Sequence, residues 1–384
     1  MAPLTQVDNL EFLVLVDNCE LIYNGIQLTP GVEWISTLPP GFSHEMPQHL
    51  ADPEVTYDEL TGLPVAKFNE FCCGAHGLSI LITTTIGDKK YRVLYDTGPE
   101  ELTIDRNVKA MKVNLTELDA LFLSHWHRDH SGGILRTLEL RNEQAKAEGK
   151  TLKPLPVDLH PDRPIRRGIA PPPNYIPKAN FLPDPSFEEI AAANGVADLH
   201  AEAHEIHVNG STSGVGVSGE IPRVQPFERG LPGAVTWMAD GGDDPGKGGW
   251  CTDELIKDER YVVIDVKGKG LVIFSACSHA GVCNVVTDAV KEYGRPVHMV
   301  VGGFHLVPVE QQPVKETVDF LARRLQPRPQ YVLPLHCTGL APRASLRNAL
   351  GDACIAAGVG MKVVVKGDEA GEAALDAADP KIIP

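Results

Sequence analysis

Short apolar runs, broken by glycine, proline or an Asp-Asn pair, recur along this chain. Residues 11–16 run apolar into Asp17-Asn18, which predicts a strand closed by a turn. Residues 78–85 and 91–95 are β-rich and flank Gly87-Asp-Lys-Lys90, a hairpin signal. A second hairpin spans 261–266 and 271–274 across Gly268-Lys-Gly270. Further strands are predicted at 120–123, from 157, and at 297–301, 331–335 and 361–365. Between them the spacing turns helical at 134–148, 188–193, 285–293, 314–325 and 343–357. In the first of these, Ile134, Leu135, Leu138 and Ala145 share one side and Gly149 is the stop. Strands and helices follow one another in two successive blocks. That order predicts an α/β sandwich of two sheets with helices outside.

Two stretches interrupt the pattern. Residues 19–70 carry scattered Pro and Gly, with Leu38-Pro-Pro-Gly41, and are too long for a simple connection. We expect an insertion lying over the domain, with His44 and His49 as surface histidines. The second insertion is expected at 161–249. Ten prolines between 154 and 185 predict stiff extended loops, without helix or central strand. His160 ends the strand that starts at 157 and is assigned a structural role. His200, His204 and His207 suggest a cluster, but Glu205-Ile-His207-Val alternates like a strand, which separates the faces. No metal role is assigned to them. The acidic, Ala-rich tail beyond 365 is expected to be peripheral.

Composition narrows the class. With 384 residues, 43% hydrophobic and 22% charged, the chain reads as an ordinary soluble globular protein with a substantial core. One domain over 1–384 with two insertions fits better than two domains, because the metal-type residues run from His125 to His336. A net charge of −16, with no basic run denser than Arg163-Pro-Ile-Arg-Arg167, argues against nucleic acid as a partner. No span approaches the length of a membrane helix, and the start lacks the regions of a secretory leader, so no membrane partner is expected. The eight cysteines show neither zinc-finger spacing nor a dense disulfide pattern, and reduced thiols in the cytoplasm are the economical reading. Pairing of the insertions with a second copy, in a homodimer, stays open.

The chemistry concentrates at residues 121–133, Leu-Phe-Leu-Ser-His-Trp-His-Arg-Asp-His-Ser-Gly-Gly. A buried strand stops at Ser124, and four metal-type side chains follow: His125, His127, Asp129 and His130. Histidines at i and i+2 at a strand end face one cation, and the Asp-His pair can turn towards a second site. Gly132 and Gly133 let the backbone leave tightly. Imidazoles with one carboxylate suit zinc, and also iron or manganese.

This motif resembles the signature of the metallo-β-lactamase superfamily. Ala75-His-Gly-Leu-Ser79, Leu94-Tyr-Asp-Thr-Gly98, Ser218-Gly-Glu-Ile-Pro-Arg223, Ala276-Cys-Ser-His-Ala-Gly281, Gly302-Gly-Phe-His-Leu306 and Leu335-His-Cys-Thr-Gly339 extend the resemblance. The series is similar to the branch of the archaeal dihydropterin–aminobenzene-phosphate synthase. The resemblance implies an αββα fold, with His125, His127 and His279 holding a first metal and Asp129, His130 and His336 a second. One or two zinc ions are the expected cofactor, with iron or manganese as alternatives. It further implies that Asp129 orients the nucleophile and that His305 lies in the pocket, as proton donor or substrate contact, or supports the ligands from behind. Asp96 would support the metal loop, or be a plain turn residue. His76 would line the pocket or be structural. Arg223 and Glu220 would hold an anionic substrate group or form a loop clasp.

One departure stands out. Many superfamily members bridge two metals with an aspartate at a late strand end, whereas the comparable strand here ends in Ala-Cys-Ser-His. Cys277 there is a candidate thiolate or pocket residue, or a small buried side chain. The leading expectation is a metallo-hydrolase of a small molecule with an activated carbonyl: lactam, cyclic carbamate, lactone or ester. The alternatives are a pterin-type transferase and a non-catalytic metal- or redox-sensing protein, the last suggested by Cys277, Cys283 and Cys337.

Overall fold

Along the strand Asn9–Val16, Leu10, Phe12 and Val14 enter one core while Leu15 and Val16 enter another. The same division recurs along the central strands. In Gly270–Ser275, Val272 and Phe274 face the first core, and Leu271 and Ile273 face a third. Strands covered on both faces have no polar face to show, and so they read as near-continuous apolar runs. The computed structural model describes residues 4–19, 38–44, 56–63, 65, 67–240, 248–308, 312–376 and 378–383. The rest of the first insertion, with His49, lies outside the described residues.

The first sheet has eight strands, in the order Phe42–His44, Met361–Lys366, Asn9–Val16, Ser79–Ile86, Lys89–Tyr95, Ala120–Phe122, Leu155–Leu159 and Gly195–Leu199. The second has six: His204–Val208, Ser211–Val217, Val262–Val266, Gly270–Ser275, Val297–Gly303 and Tyr331–Leu335. Their shared core holds Phe12 edge-on to Phe274, ring centroids 5.1 Å apart. Glu101–Ala110 and Ile134–Ala147 pack on the outer face of the first sheet, through Ile104, Val108, Ile134 and Leu138. Val282–Tyr293 and Leu340–Leu350 cover the second, through Val285, Val286, Ala289 and Leu346. This is the expected αββα sandwich. Among the described residues, no helix is long and apolar enough to cross a membrane.

Three expectations change. The proline-rich segment is not loop alone. Arg166–Ile169, between Pro164 and Pro171, joins Ala179–Asn180, Ala234–Met238 and Gly249–Thr252 in an accessory four-stranded sheet. The prolines flank these strands and leave their ladder hydrogen bonds intact. Second, residues within 195–217 supply strands to both main sheets. Third, the helix expected at 343–357 runs from Leu340 to Leu350. Pro342 is tolerated in its first turn, and Gly351, at φ 61°, ends it.

The topology gathers strand ends. Gly270–Ser275, Val297–Gly303 and Tyr331–Leu335 are parallel neighbours, with Ser275 opposite Gly302 and Gly303 opposite Leu335. Residues 277–279, 305 and 336 therefore emerge at one edge. Gly302 makes this approach possible: at φ 129°, a Cβ there would sit 1.7 Å from Ser275 O. On the first sheet, Lys89–Tyr95 and Ala120–Phe122 are also parallel and deliver Asp96 and residues 125–130.

Candidate metal centre

His125, His127 and His279 turn their ring nitrogens on one another. His127 Nδ1 lies 2.9 Å from His125 Nε2 and 3.1 Å from His279 Nε2. Burial holds His125 and His279 well below the ordinary histidine value and pushes His127 down to about 3. Neutral imidazoles then converge as lone pairs, an arrangement that a cation satisfies.

The rear hydrogen bonds fix which nitrogen faces inward. The Ser124 hydroxyl donates to Asp96 Oδ2 at 2.8 Å, so His125 Nδ1 donates to Ser124 Oγ at 2.9 Å and keeps Nε2 free. His130 Nδ1 donates to Asp96 Oδ2 at 2.7 Å, and His336 Nδ1 to Asn18 Oδ1 at 2.8 Å. Both thereby present Nε2. Asp129 Oδ2 lies 3.7 Å from His130 Nε2 and 3.3 Å from His336 Nε2. Burial opposes charge on His130, yet Asp129 and Asp96 raise it to about 9. A cation entering this second group displaces that proton.

Cys277 stands between the two groups. Its Sγ is 3.2 Å from His130 Nε2, and it can share an ion either with Asp129, His130 and His336 or with His125 and His279. Burial pushes the thiol up. The buried His279 Nδ1, His305 Nδ1 and His336 Nε2 have no hydrogen-bond partner. The donor set and the orphaned, inward-facing His336 Nε2 fit a metal centre.

The backbone is strained where it presents these groups. Asp96, Ser278, His305 and His336 have φ between 43° and 57°, which side chains with a Cβ seldom adopt. Gly132 is equally constrained, since a Cβ there would sit 1.9 Å from Pro99 O.

Several supports lay beyond the sequence reading. Glu259 accepts the amides of His279 and Ala280 at 2.8 and 2.7 Å and so fixes the His279 loop. Asp17 accepts the His336 amide at 2.5 Å, and Asn18 holds the ring. The pair had read as a turn; its place at a strand end was the available signal. Asp258 accepts the Trp126 amide at 2.7 Å, and Arg167 donates to the Trp126 carbonyl at 2.8 Å while pairing with Asp258 and Asp253. The accessory sheet is thus tied to the metal loop.

A cavity of about 630 Å³ opens on the centre. His76, His127, Asp129, Cys277, His279 and His305 line its polar end. Arg223 and Glu220 do not line it. Arg223 donates to the carbonyls of His279, at 3.1 Å, and Leu255, while Glu220 lies 3.7 Å from Lys257 on the surface. The clasp therefore runs from Arg223 to the backbone and does not involve Glu220. His204 pairs with Asp158 at 2.7 Å. The second oxygen of Asp158 is taken by Arg260, also at 2.7 Å, a buried cation that works against a metal there.

Comparison with known proteins finds relatives of the chain as a whole and of its central part. A family model described as metallo-beta-lactamase superfamily matches residues 75–220. The chain is 28% identical over 288 residues to the 7,8-dihydropterin-6-methyl-4-(beta-D-ribofuranosyl)-aminobenzene-5'-phosphate synthase of Methanocaldococcus jannaschii, covering 71% of this chain and 84% of that one. It is 40% identical over 53 residues to the lactamase-like protein adaB of Aspergillus niger, 14% of this chain and 17% of that one. Among solved structures it resembles Tm1679, described as a metal-dependent hydrolase of the beta-lactamase superfamily. The TM-score is 0.59 and the identity 17%, over 93% of this chain and 99% of that one.

Proposed function

Since this chain carries a metallo-β-lactamase-superfamily domain and has that superfamily's fold, we propose that it is a metal-dependent hydrolase of a small molecule with an activated carbonyl. Lactams, cyclic carbamates, lactones and esters form the substrate class. The observation that carries the reading is the convergence of His125, His127 and His279 beside Asp129, His130 and His336 at the end of a cavity.

His125 Nε2, His127 Nδ1 and His279 Nε2 would hold one ion. Asp129, His130 Nε2 and His336 Nε2 would hold the other, with Cys277 as a donor within reach of both. Nitrogen donors with one carboxylate and one thiol suit zinc, with iron and manganese as alternatives. When bound, the ions polarise the carbonyl and acidify water. Asp129, exposed to the cavity, accepts a proton from the attacking water and orients it. His305 lines the same cavity with Nδ1 unpaired and donates a proton to the leaving oxygen or nitrogen. Glu259 and Arg223 act at a distance by holding the His279 loop from its amide and its carbonyl.

Zinc-loaded protein, screened against lactams, lactones, cyclic carbamates and esters, is expected to turn over members of the class and to stop on chelation. Asp129→Asn should lower kcat by roughly 10²–10⁴-fold. A loaded protein inert towards the whole panel would contradict the reading.

The likeness to the archaeal synthase favours a second reading, transfer of a dihydropterin to a ribosyl-aminobenzene phosphate. Such a reaction needs a phosphate cradle. Arg167 is already paired with Asp253 and Asp258, and Arg163 donates to the carbonyls of Asp184 and Pro185. Formation of the joined product from the two halves would transfer the chain to this reading.

A further inference from the structure

The walls of the 630 Å³ cavity differ in kind from its metal-facing end. Away from the histidines it is lined by Ile169, Pro171, Phe181, Leu231, Val235 and Val307. All but Val307 come from the accessory-sheet region, where Ile169 pairs with Ala234 and Gly168 with Val235 across two neighbouring strands. Ile169 and Phe181 are 43% and 42% exposed. Leaving such side chains uncovered forgoes the stabilisation that burying them would bring.

One of the two cations in this wall is neutralised. Among the described lining residues the two arginines are Arg128 and Arg167. Arg167 is buried against Asp253 and Asp258, and Arg128 donates to the Pro183 carbonyl at 3.0 Å. An anionic group seated on the accessory sheet, away from Arg128, would lose its hydration without gaining a cation free of carboxylates. The volume falls in the range that accommodates a whole small molecule, roughly 300–1,000 Å³.

We propose that the accessory sheet forms an apolar substrate subsite, and that the enzyme acts on esters or lactones whose group beside the reactive carbonyl is large, uncharged and hydrocarbon. This rests on the hydrolase reading above. In the reaction, the carbonyl carbon gains a bond to water oxygen and loses its bond to the alkoxy oxygen. One water proton goes to Asp129, and the leaving oxygen takes one from His305. The apolar group undergoes no chemistry. It fills the cavity, displaces its water and so fixes the carbonyl beside Asp129.

The test pairs turnover with binding. p-Nitrophenyl acetate, butyrate, octanoate and dodecanoate are compared on zinc-loaded protein. Binding of the neutral fluorophore N-phenyl-1-naphthylamine, and its displacement by octanol against ethanol, is followed separately. We expect kcat/KM to rise on the order of tenfold or more from acetate to octanoate, because each buried methylene favours binding. Octanol should displace the probe at far lower concentration than ethanol. Ile169→Asp should flatten both series, and Phe181→Ala, a milder change that spares the fold, should reduce them; zinc content of each variant reports on its integrity. Probe binding with no ester turnover would leave the subsite standing and remove the hydrolase reading. Turnover that is flat with chain length, with no probe bound, would overturn the subsite and leave the hydrolase. Variants that keep the parent's chain-length preference would also overturn it, as would a dimer that disperses on Phe181→Ala with no change in that preference.

Discussion

Asp96 accepts three hydrogen bonds, from the Ser124 amide, the Ser124 hydroxyl and His130 Nδ1. Through them a single carboxylate sets the inward nitrogen of His125 and of His130. In Asp96→Asn an amide group replaces one acceptor oxygen and meets at least one of these donors. The expected result is a loss of metal affinity of roughly 10–100-fold, read by competition with a chromophoric chelator. Unchanged affinity would show that Asp96 is a turn residue only. At this scale the sequence was most legible where the ligands are contiguous, at 125–130. Glu259 was invisible because nothing in its own surroundings marks it; it acts on amides 20 and 21 residues away. Arg223 was read for its charge, but its partners are two backbone carbonyls, which no side-chain pattern announces.

Helix Val282–Tyr293 begins at Gly281 without a side-chain cap from its own N-cap residue. Glu228 takes that role from elsewhere in the chain, accepting the amides of Cys283 at 2.8 Å and Asn284 at 2.7 Å. Burial raises its carboxyl from 4.5 to about 7, against the pull of these two amides. The folded value lies above the unfolded one, so between the two the folded chain holds the extra proton. The associated stability is whole below 4.5 and is lost as pH rises through about 7. Glu228→Gln removes this titration. Its melting temperature should therefore change less than the parent's between roughly pH 5 and 8; parallel curves would place the titration on another group. Strands and long helices were legible in the sequence because apolar periodicity reports burial directly. The accessory sheet was not, because its strands are short and proline-flanked, and their pairing spans up to 71 residues, as between Trp237 and Arg166.

On the scale of the molecule, two sheets bring parallel strand ends to one edge, and the accessory sheet closes the space above them. Arg167 joins these parts, from the accessory sheet to Asp258 and the Trp126 carbonyl in the metal loop. The sandwich could be read from the order of strands and helices. The cavity could not, since its walls come from residues 169, 171, 181, 231, 235 and 307, and only folding brings these together. The proposed chemistry requires the centre to hold metal through both groups of residues. The most direct measurement is metal content per chain, on protein purified without added metal, for the parent and for His125→Ala, Asp129→Ala and His336→Ala. About two equivalents are expected in the parent, with a fall in each variant. One equivalent, lost in His125→Ala and retained in His336→Ala, would contradict the second group. No metal in the parent, with all variants alike, would contradict the centre itself.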